Sequence, residues 1–293
     1  MILYLGPEGT NSQEAAVRWS GGSDDCCPCR SFRDVFAQLG GRPDAAAVVP
    51  IENAVEGPVT QTLDLLAAAS GVTITAAFGL RVRYCLAVAP GGGLHTIKTV
   101  YSHPQALAQC GNWLDAHLPG AVQTPLDSTA EAARRVAGEP EAASVSTFLA
   151  ASLYRLTTVA EDIQDSAANE TRFVTVVRGC SPSPSASFAG VIHSLLHLIV
   201  PNRPGALLHI LEPFQAAGLN LTFIQSRPLQ GRPWQYGFFV EAEGAITDAA
   251  YAPTLARLRE VAETVHILGV YPSQQNDLNG HPSQCGLTGR QRV

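Results

Sequence analysis

The sequence predicts an α/β protein built in two unequal parts, and three observations carry that expectation. Over roughly the first 180 residues, short apolar runs of strand character alternate with helical stretches. The small-residue stretch Gly179-Cys180-Ser181-Pro182-Ser183-Pro184-Ser185 then interrupts the alternation. Beyond it the order becomes strand, helix, strand, strand, helix, strand. A chain of 293 residues is long for one core, since domains usually hold about 100–200 residues.

The first part opens on the strand Met1 to Leu5, followed by a helix from about Ser12 and another that Ser31 caps ahead of Phe32-Arg33-Asp34. The apolar run Ala45 to Ile51 is a strand feeding the helix that contains Thr62 to Ala69. Val72 to Val88 reads as extended chain, and Thr99 to Ser102 precedes a helix opened by Pro104. A strand near Val122 leads to Ser128-Thr129-Ala130-Glu131, a capping box before an Ala-rich helix. In the second part Val191 to Val200, Leu219 to Gln225, Tyr236 to Glu241 and Val265 to Tyr271 read as strands. Gly205 to Ala217, ended by Gly218, and Thr254 to Thr264 read as helices. This β-α-β-β-α-β order is the ferredoxin-like arrangement. From Ser273 onward the chain is polar, Gln/Asn-rich and aperiodic, so residues 273–293 are expected to be a disordered tail.

Composition removes several function classes. A net charge of -6 and a pI near 5.7, with no basic stripe, give no footprint for nucleic acid. No apolar run reaches the roughly 18 residues of a membrane span, and Met1-Ile2-Leu3-Tyr4-Leu5 has neither a basic lead nor a cleavage site. The chain is therefore expected to be cytoplasmic. Seven cysteines at irregular spacing argue for reduced thiols. Cys26-Cys27-Pro28-Cys29 lacks the second Cys/His pair that a structural zinc site wants, which leaves strand or loop thiols as the favoured reading and metal as the minor one. Lys98 is the only lysine and its setting is that of a strand start, so Schiff-base chemistry has little to work with. Neither a Gly-x-Gly-x-x-Gly turn nor a Gly-x-x-x-x-Gly-Lys loop is present, and no cofactor is expected.

Four segments concentrate polar chemistry. Val48-Val49-Pro50-Ile51-Glu52-Asn53-Ala54-Val55-Glu56-Gly57-Pro58 ends an apolar strand in a carboxylate and an amide before a helix, the place where ligands sit in open α/β sheets. Gly6-Pro7-Glu8-Gly9-Thr10-Asn11-Ser12-Gln13 is a hydroxyl- and amide-rich turn. Tyr101-Ser102-His103-Pro104-Gln105 runs into Gln109, which shares a helix face with Gln105. Asp162-Ile163-Gln164-Asp165, then Asn169-Glu170-Thr171-Arg172-Phe173, is the fourth.

In this order the four segments resemble prephenate dehydratase, through Gly-Pro-x-Gly-Thr, Pro-Ile-Glu-Asn with Glu-Gly and Asp-Leu-Leu, Ser-His-Pro-Gln-Ala, and Thr-Arg-Phe. The last part resembles an ACT domain, with Gly205-Ala206-Leu207 and Ser226-Arg227-Pro228 matching its phenylalanine-sensing motifs. The resemblance implies a catalytic domain, residues 1–180, similar to type II periplasmic binding proteins, with lobe 1 at 1–76 and 164–180 and lobe 2 at 77–163. Hinge strands would lie near Thr73 to Phe78 and Asp162 to Ser166. A linker at 181–190 and an ACT domain at 191–272 would follow.

The implied reaction is loss of carbon dioxide and hydroxide from prephenate to give phenylpyruvate. Thr171 is the family's leading candidate to assist hydroxide, as a hydrogen-bond donor because its hydroxyl is a weak acid, with Glu52 second and Asn53 beside it. Since prephenate is a dianion, Arg172 is expected to hold one carboxylate, and Thr10, Ser12 and nearby helix N–H groups the other. Arg172 has a competing reading as an ion pair with Asp165 or Glu170. Ser102, Gln105, Gln109 and Phe173 would complete the substrate site. His103 reads either as a general base or as a helix cap.

Two positions depart from the family pattern. Ala54 stands where a serine is usual, and Asn11 where an aromatic is usual, which bears on substrate preference. Arogenate dehydration, or prephenate decarboxylation without aromatisation, therefore stays as an alternative enzyme, and an anion-sensing module without catalysis as an alternative class. In the ACT domain, phenylalanine is expected between Asn220-Leu221 and Gly205-Ala206-Leu207 at a subunit interface, with Ser226 and Arg227 nearby. Gln225 replaces a usual glutamate there. An unpaired sheet edge makes a homodimer or homotetramer the expected assembly.

Overall fold

The computed structural model describes residues 1–22, 24–179 and 191–274. The expected linker at 181–190 and most of the expected tail lie outside those residues. Ser273 and Gln274 do not belong to a tail: they end a strand and pair with Ala77 and Phe78.

In the first lobe, strands β1 (Ile2–Leu5), β2 (Cys26–Cys29) and β3 (Ala46–Asn53) are joined through helices α1 (Asn11–Ser20) and α2 (Phe32–Gly41) and pair in parallel. Side-chain caps start both helices, Thr10 accepting from the N–H of Gln13 and Ser31 from that of Asp34. A short β4 (Gly57–Pro58) turns the chain into α3 (Thr60–Ala68). Strand β5 (Val72–Arg81) then runs out of this lobe toward the second.

The second lobe holds β6 (Cys85–Val88), β7 (Thr99–Ser102), α4 (Pro104–Gln109), α5 (Gly111–His117), β8 (Val122–Pro125), α6 (Thr129–Val136), β9 (Ala142–Ser146), α7 (Phe148–Leu153) and β10 (Thr157–Ala160). Its sheet order is β10-β6-β9-β7-β8. The chain returns through β11 (Glu170–Arg178), which lies antiparallel between β5 and β3. Strand β5 pairs with β11 through Arg81, and the segments joining the two sheets are residues 82–84 and 161–169.

The third unit is β12 (Val191–Ile199), α8 (Ala206–Ala216), β13 (Leu221–Pro228), β14 (Tyr236–Glu243), α9 (Ala252–Val261) and β15 (Thr264–Gln274), with the antiparallel order β13-β14-β12-β15. Strand β15 joins β5 in parallel, so this sheet and that of the first lobe form one ten-stranded sheet. Leu195, Phe223, Phe239, Leu268 and Tyr271 accordingly share a core with Leu3, Ile51 and Leu66 of the first lobe. Burial of this kind contributes about 25 cal/mol per Å² of apolar surface, so the third unit is fastened to the first by its core.

Candidate active site

Strand β3 ends in the polar residues Glu52 and Asn53, and Asn53 organises everything around it. Its Oδ1 accepts from the N–H groups of Val55 (3.0 Å) and Glu56 (3.1 Å), which folds the chain back into β4. With the oxygen committed to two backbone donors, the orientation of the amide is fixed. Its Nδ2 therefore donates to Thr171 Oγ1 (2.9 Å), Asn169 Oδ1 (2.9 Å) and the carbonyl of Glu170 (3.3 Å). Thr171 lies directly opposite Asn53 in the pairing of β11 with β3. A hydroxyl has one proton to give, and because Oγ1 acts here as an acceptor, that proton stays available to a group in the cleft.

The amides continue into the second lobe. Asn169 Nδ2 donates to Gln109 Oε1 (2.9 Å), and Gln109 Nε2 to Glu56 Oε1 (3.4 Å). Since Glu56 also donates its N–H to Asn53, the four residues Asn53, Asn169, Gln109 and Glu56 close a ring across the cleft. Beside it lies a cavity of about 300 Å³ lined by Glu56, Gln105, Gln109, Gln164, Asp165 and Asn169, among others. Among the described residues, no arginine or lysine lines it. Burial raises the Glu56 carboxyl above its usual range, against the opposing influence of His103 and Gln105. Asp165 is committed to the start of α5, accepting from the N–H groups of Asn112 (3.1 Å) and Trp113 (3.3 Å).

The glycine-rich turn of the first lobe presses on the second. Gly9 has φ +87°, and a Cβ there would stand 2.9 Å from that of Ala150. Only glycine allows this approach. Thr147 Oγ1 donates to the Gly9 carbonyl (2.6 Å), and the Gly9 N–H donates to Gln13 Oε1 (2.5 Å). The side chain of Asn11 reaches the phenol of Tyr84, whose pKa burial pushes up, while Asn11 Oδ1 is buried without a partner.

Of the expected residues, Thr171, Asn53, Gln105 and Gln109 meet here. Glu52 stands one step along β3, and Thr10 and Ser12 at the start of α1, Thr10 capping it. Three expectations are corrected. Ser102 is fully buried and donates to the Val145 carbonyl (2.6 Å), tying β7 to β9. Phe173 is 1% exposed and stacks on Phe78 with ring centroids 5.9 Å apart, inside the first lobe's core. Arg172 turns away from the cavity: its Nη1 bonds to Glu241 Oε2 of β14 at 2.6 Å, which is neither the expected place at the substrate nor either of the expected carboxylate partners. His103 accepts from the N–H of Gln105 (3.3 Å) and is the cap of α4. Sequence reasoning passed over Glu56 and Asn169 as site residues, although both lie in the quoted motifs; i+3 spacing from Asn53 was the available signal for Glu56. Cys26, Cys27 and Cys29 are free thiols on β2.

In the third unit a smaller cavity of about 160 Å³ is lined by Val200, Pro201, Asn202, Arg203, Ala206, Leu207, Tyr236 and Phe238. Ala206 and Leu207 line it, and Gly205 holds the left-handed position before α8. Asn220 and Leu221 precede and open β13, and the Gln225 amide donates to the Ser226 carbonyl (2.8 Å). Arg227 is committed elsewhere: it pairs bidentately with Asp64 of α3 at 2.8 and 2.6 Å.

Residues 2–180 match the family model for prephenate dehydratase, and residues 194–260 that for the ACT domain. The chain is 39% identical over 280 residues to the bifunctional chorismate mutase/prephenate dehydratase of Neisseria gonorrhoeae, covering 93% of this chain and 74% of that protein. Among solved structures it superposes with a TM-score of 0.84 and 34% identity on prephenate dehydratase from Arthrobacter aurescens in complex with L-Phe, covering 92% of this chain and 89% of that one. It also superposes with a TM-score of 0.82 and 30% identity on GqqA, described as a novel type of quorum quenching acylase, covering 93% and 98%.

Proposed function

The chain belongs to the prephenate dehydratase family, and on that premise we propose which of its residues act. It is a carbon–oxygen lyase that converts prephenate to phenylpyruvate, with phenylalanine as effector at its ACT domain. In the reaction the electron pair of the ring-to-carboxylate bond enters the ring, carbon dioxide departs, and the allylic hydroxyl leaves as hydroxide. Thr171 donates its free proton to the departing hydroxyl, held in place by Asn53. That donation is the single observation carrying the reading: Asn53 fixes Oγ1 as an acceptor, and the Thr171 proton has no acceptor among the described residues. Glu56, whose carboxyl burial raises against the opposing influence of His103 and Gln105, lines the cavity as the general acid assigned to the departing hydroxyl. Gln105, Gln109 and Asn169 orient the substrate as neutral donors.

The lack of arginine and lysine in the cavity lining suits the decarboxylation. A carboxylate clamped by a guanidinium is stabilised and slow to leave, whereas neutral amides position it without holding its charge. Incubation of the purified chain with prephenate should release phenylpyruvate, followed by its enolate absorbance in base; recovery of unchanged prephenate, or of a non-aromatic product, would overturn the reading. Asn11 supports one alternative. Its unpartnered Oδ1 suits an ammonium donor, which arogenate has and prephenate lacks. A kcat/KM higher for arogenate than for prephenate would move the assignment there.

Phenylalanine is assigned to the cavity beside Gly205, Ala206 and Leu207. The chain is assigned a homodimer or homotetramer built on the ACT edge: β13 is the outermost strand of its sheet, and Leu208, Ile224, Trp234 and Tyr236 are exposed near it.

A further inference from the structure

Arg172 and Thr171 are neighbours on β11, but their side chains leave the strand on opposite faces. Arg172 enters the joint between the first lobe and the ACT domain. There Glu241 is 0% exposed and receives Arg172 Nη1 (2.6 Å) and Thr222 Oγ1 (2.8 Å) on Oε2, and the Tyr271 hydroxyl (2.6 Å) on Oε1. His193 Nδ1 lies 3.8 Å from the same Oε2. Burial works against the charge on Glu241, yet the Arg172 guanidinium and the two hydroxyls hold its carboxyl below the usual range. A buried carboxylate in a regulatory domain is thus neutralised by a residue of the catalytic domain.

The other half of the guanidinium is unfinished. Arg172 Nη2 stands 3.5 Å from Glu52 Oε2, within ion-pair range but not aligned as a hydrogen bond, and both Nη2 and Nε are buried without a hydrogen-bond partner. Glu52 is the residue directly opposite Arg172 in the β11–β3 pairing, and it adjoins Asn53, which holds Thr171. Two carboxylates, Glu52 of β3 and Glu241 of β14, therefore compete for one cation. Any shift of β14 that loosens Glu241 frees Arg172 to close on Glu52.

We propose that Arg172 and Glu241 are positioning residues for the reaction: the ACT domain holds one end of the guanidinium through Glu241, and the other end sets where Glu52 stands on the joint face of β3, one residue before Asn53, which holds Thr171 on the opposite face. This rests on the reading of the chain as a prephenate dehydratase. It gives the effector domain a route to the cleft made of two named contacts, with Arg172 as the element that both sites bias.

The test is a double-mutant cycle across the joint, with kcat and KM measured separately. Wild-type turnover of prephenate comes first, because its absence would remove the functional reading and leave the joint unaddressed. With turnover in hand, Glu241→Gln keeps the shape but removes the charge. The expected result is a kcat lower by at least about tenfold with KM within about twofold, as Arg172 swings to Glu52 and draws it out of place. In a Glu52→Gln background, or Glu52→Asp where the amide leaves too little activity to measure, the same change should cost no more than about twofold. Wild-type kcat in Glu241→Gln, or an equal loss in both backgrounds, overturns the proposal, since a merely structural role would multiply through. Should Glu241→Gln fail to fold, Thr222→Val carries the same cycle. It removes one donor from the oxygen that Arg172 uses, and a roughly threefold loss of kcat confined to the Glu52 background supports the relay, while an equal loss in both overturns it.

Discussion

The two faces of strand β11 hold opposite chemistry one residue apart. On the Thr171 side stand uncharged amides, a carboxyl raised by burial and the Asp165 carboxylate held by the start of α5, around a cavity that no arginine or lysine among the described residues lines. On the Arg172 side stand a guanidinium and the carboxylates Glu52 and Glu241 in a joint between domains, with Asp64 and Arg227 paired further along it. The cavity is lined by amides and by the carboxyl groups of Glu56 and Asp165, whereas the joint pairs its carboxylates with guanidinium groups. Among the described residues, the guanidinium groups of Arg172 and Arg227 tie the first lobe to the ACT domain and do not line the cavity.

The strongest way to break that comparison is Thr171→Ala. If the neutral face carries the chemistry, kcat should fall by at least about a hundredfold, in the range that general acid–base assistance supplies. The fold should persist, because the hydroxyl accepts from Asn53 without tying any other described element. Near wild-type turnover would move the chemistry away from this face. Asn53→Ala comes next. It removes the donor that orients Thr171 and breaks the turn at Val55 and Glu56, so kcat should fall roughly tenfold or more. Unfolding by urea should show a loss of about 1–3 kcal/mol, the cost of stranding buried partners. A variant that loses stability but keeps kcat would make Asn53 a turn residue alone.

The comparison also shows what a sequence can disclose. Element types were legible because strands and helices announce themselves by period and by caps: Ser31, Ser128 and Gly218 stand where the helices begin and end. Thr171, Asn53 and Gln109 were legible through motif chemistry. Arg172, Phe173 and Ser102 were misplaced for one shared reason: a motif gives sequence neighbours, whereas strand alternation sends alternate residues into different environments. Phe173 went into a ring stack with Phe78, Ser102 into a bond to its own sheet, and Arg172 to a partner 69 residues away. Glu241 carried no local signal at all, since its role depends on β15 docking against β5.

The charged face can be sharpened by pH. His197 lies on β12 beside Phe239, with ring centroids 4.6 Å apart, and burial lowers its pKa to about 4, with His266 lowering it further and Asp64 opposing. The native state keeps this ring neutral while the unfolded chain protonates near its usual value of about 6.5. Below that pH the unfolded state binds a proton that the native state does not, so stability falls as pH drops from about 6.5 to 4. The contribution is on the order of 2 kcal/mol, taking the shift at about 1.4 kcal/mol per unit and discounting for solvent in the joint. His266 shifts in the same direction and adds to the slope. His197→Gln should flatten the fall in Tm over that window; an unchanged slope would place the acid sensitivity elsewhere.

Arg227→Ala is the mildest change and separates two roles for one residue. The sequence placed Arg227 with the effector, whereas the structure commits its guanidinium to Asp64 with two hydrogen bonds. The two side chains are 28% and 34% exposed, so solvent screens the pair and its removal should cost about 1 kcal/mol or less. If Arg227 only fastens the ACT sheet to α3, the variant should bind phenylalanine with an unchanged Kd by calorimetry, and Asp64→Asn should match its small loss of stability. A Kd raised tenfold in Arg227→Ala but not in Asp64→Asn would return the arginine to the effector site, because the two substitutions break the same pair and differ only in whether the guanidinium remains to meet a ligand.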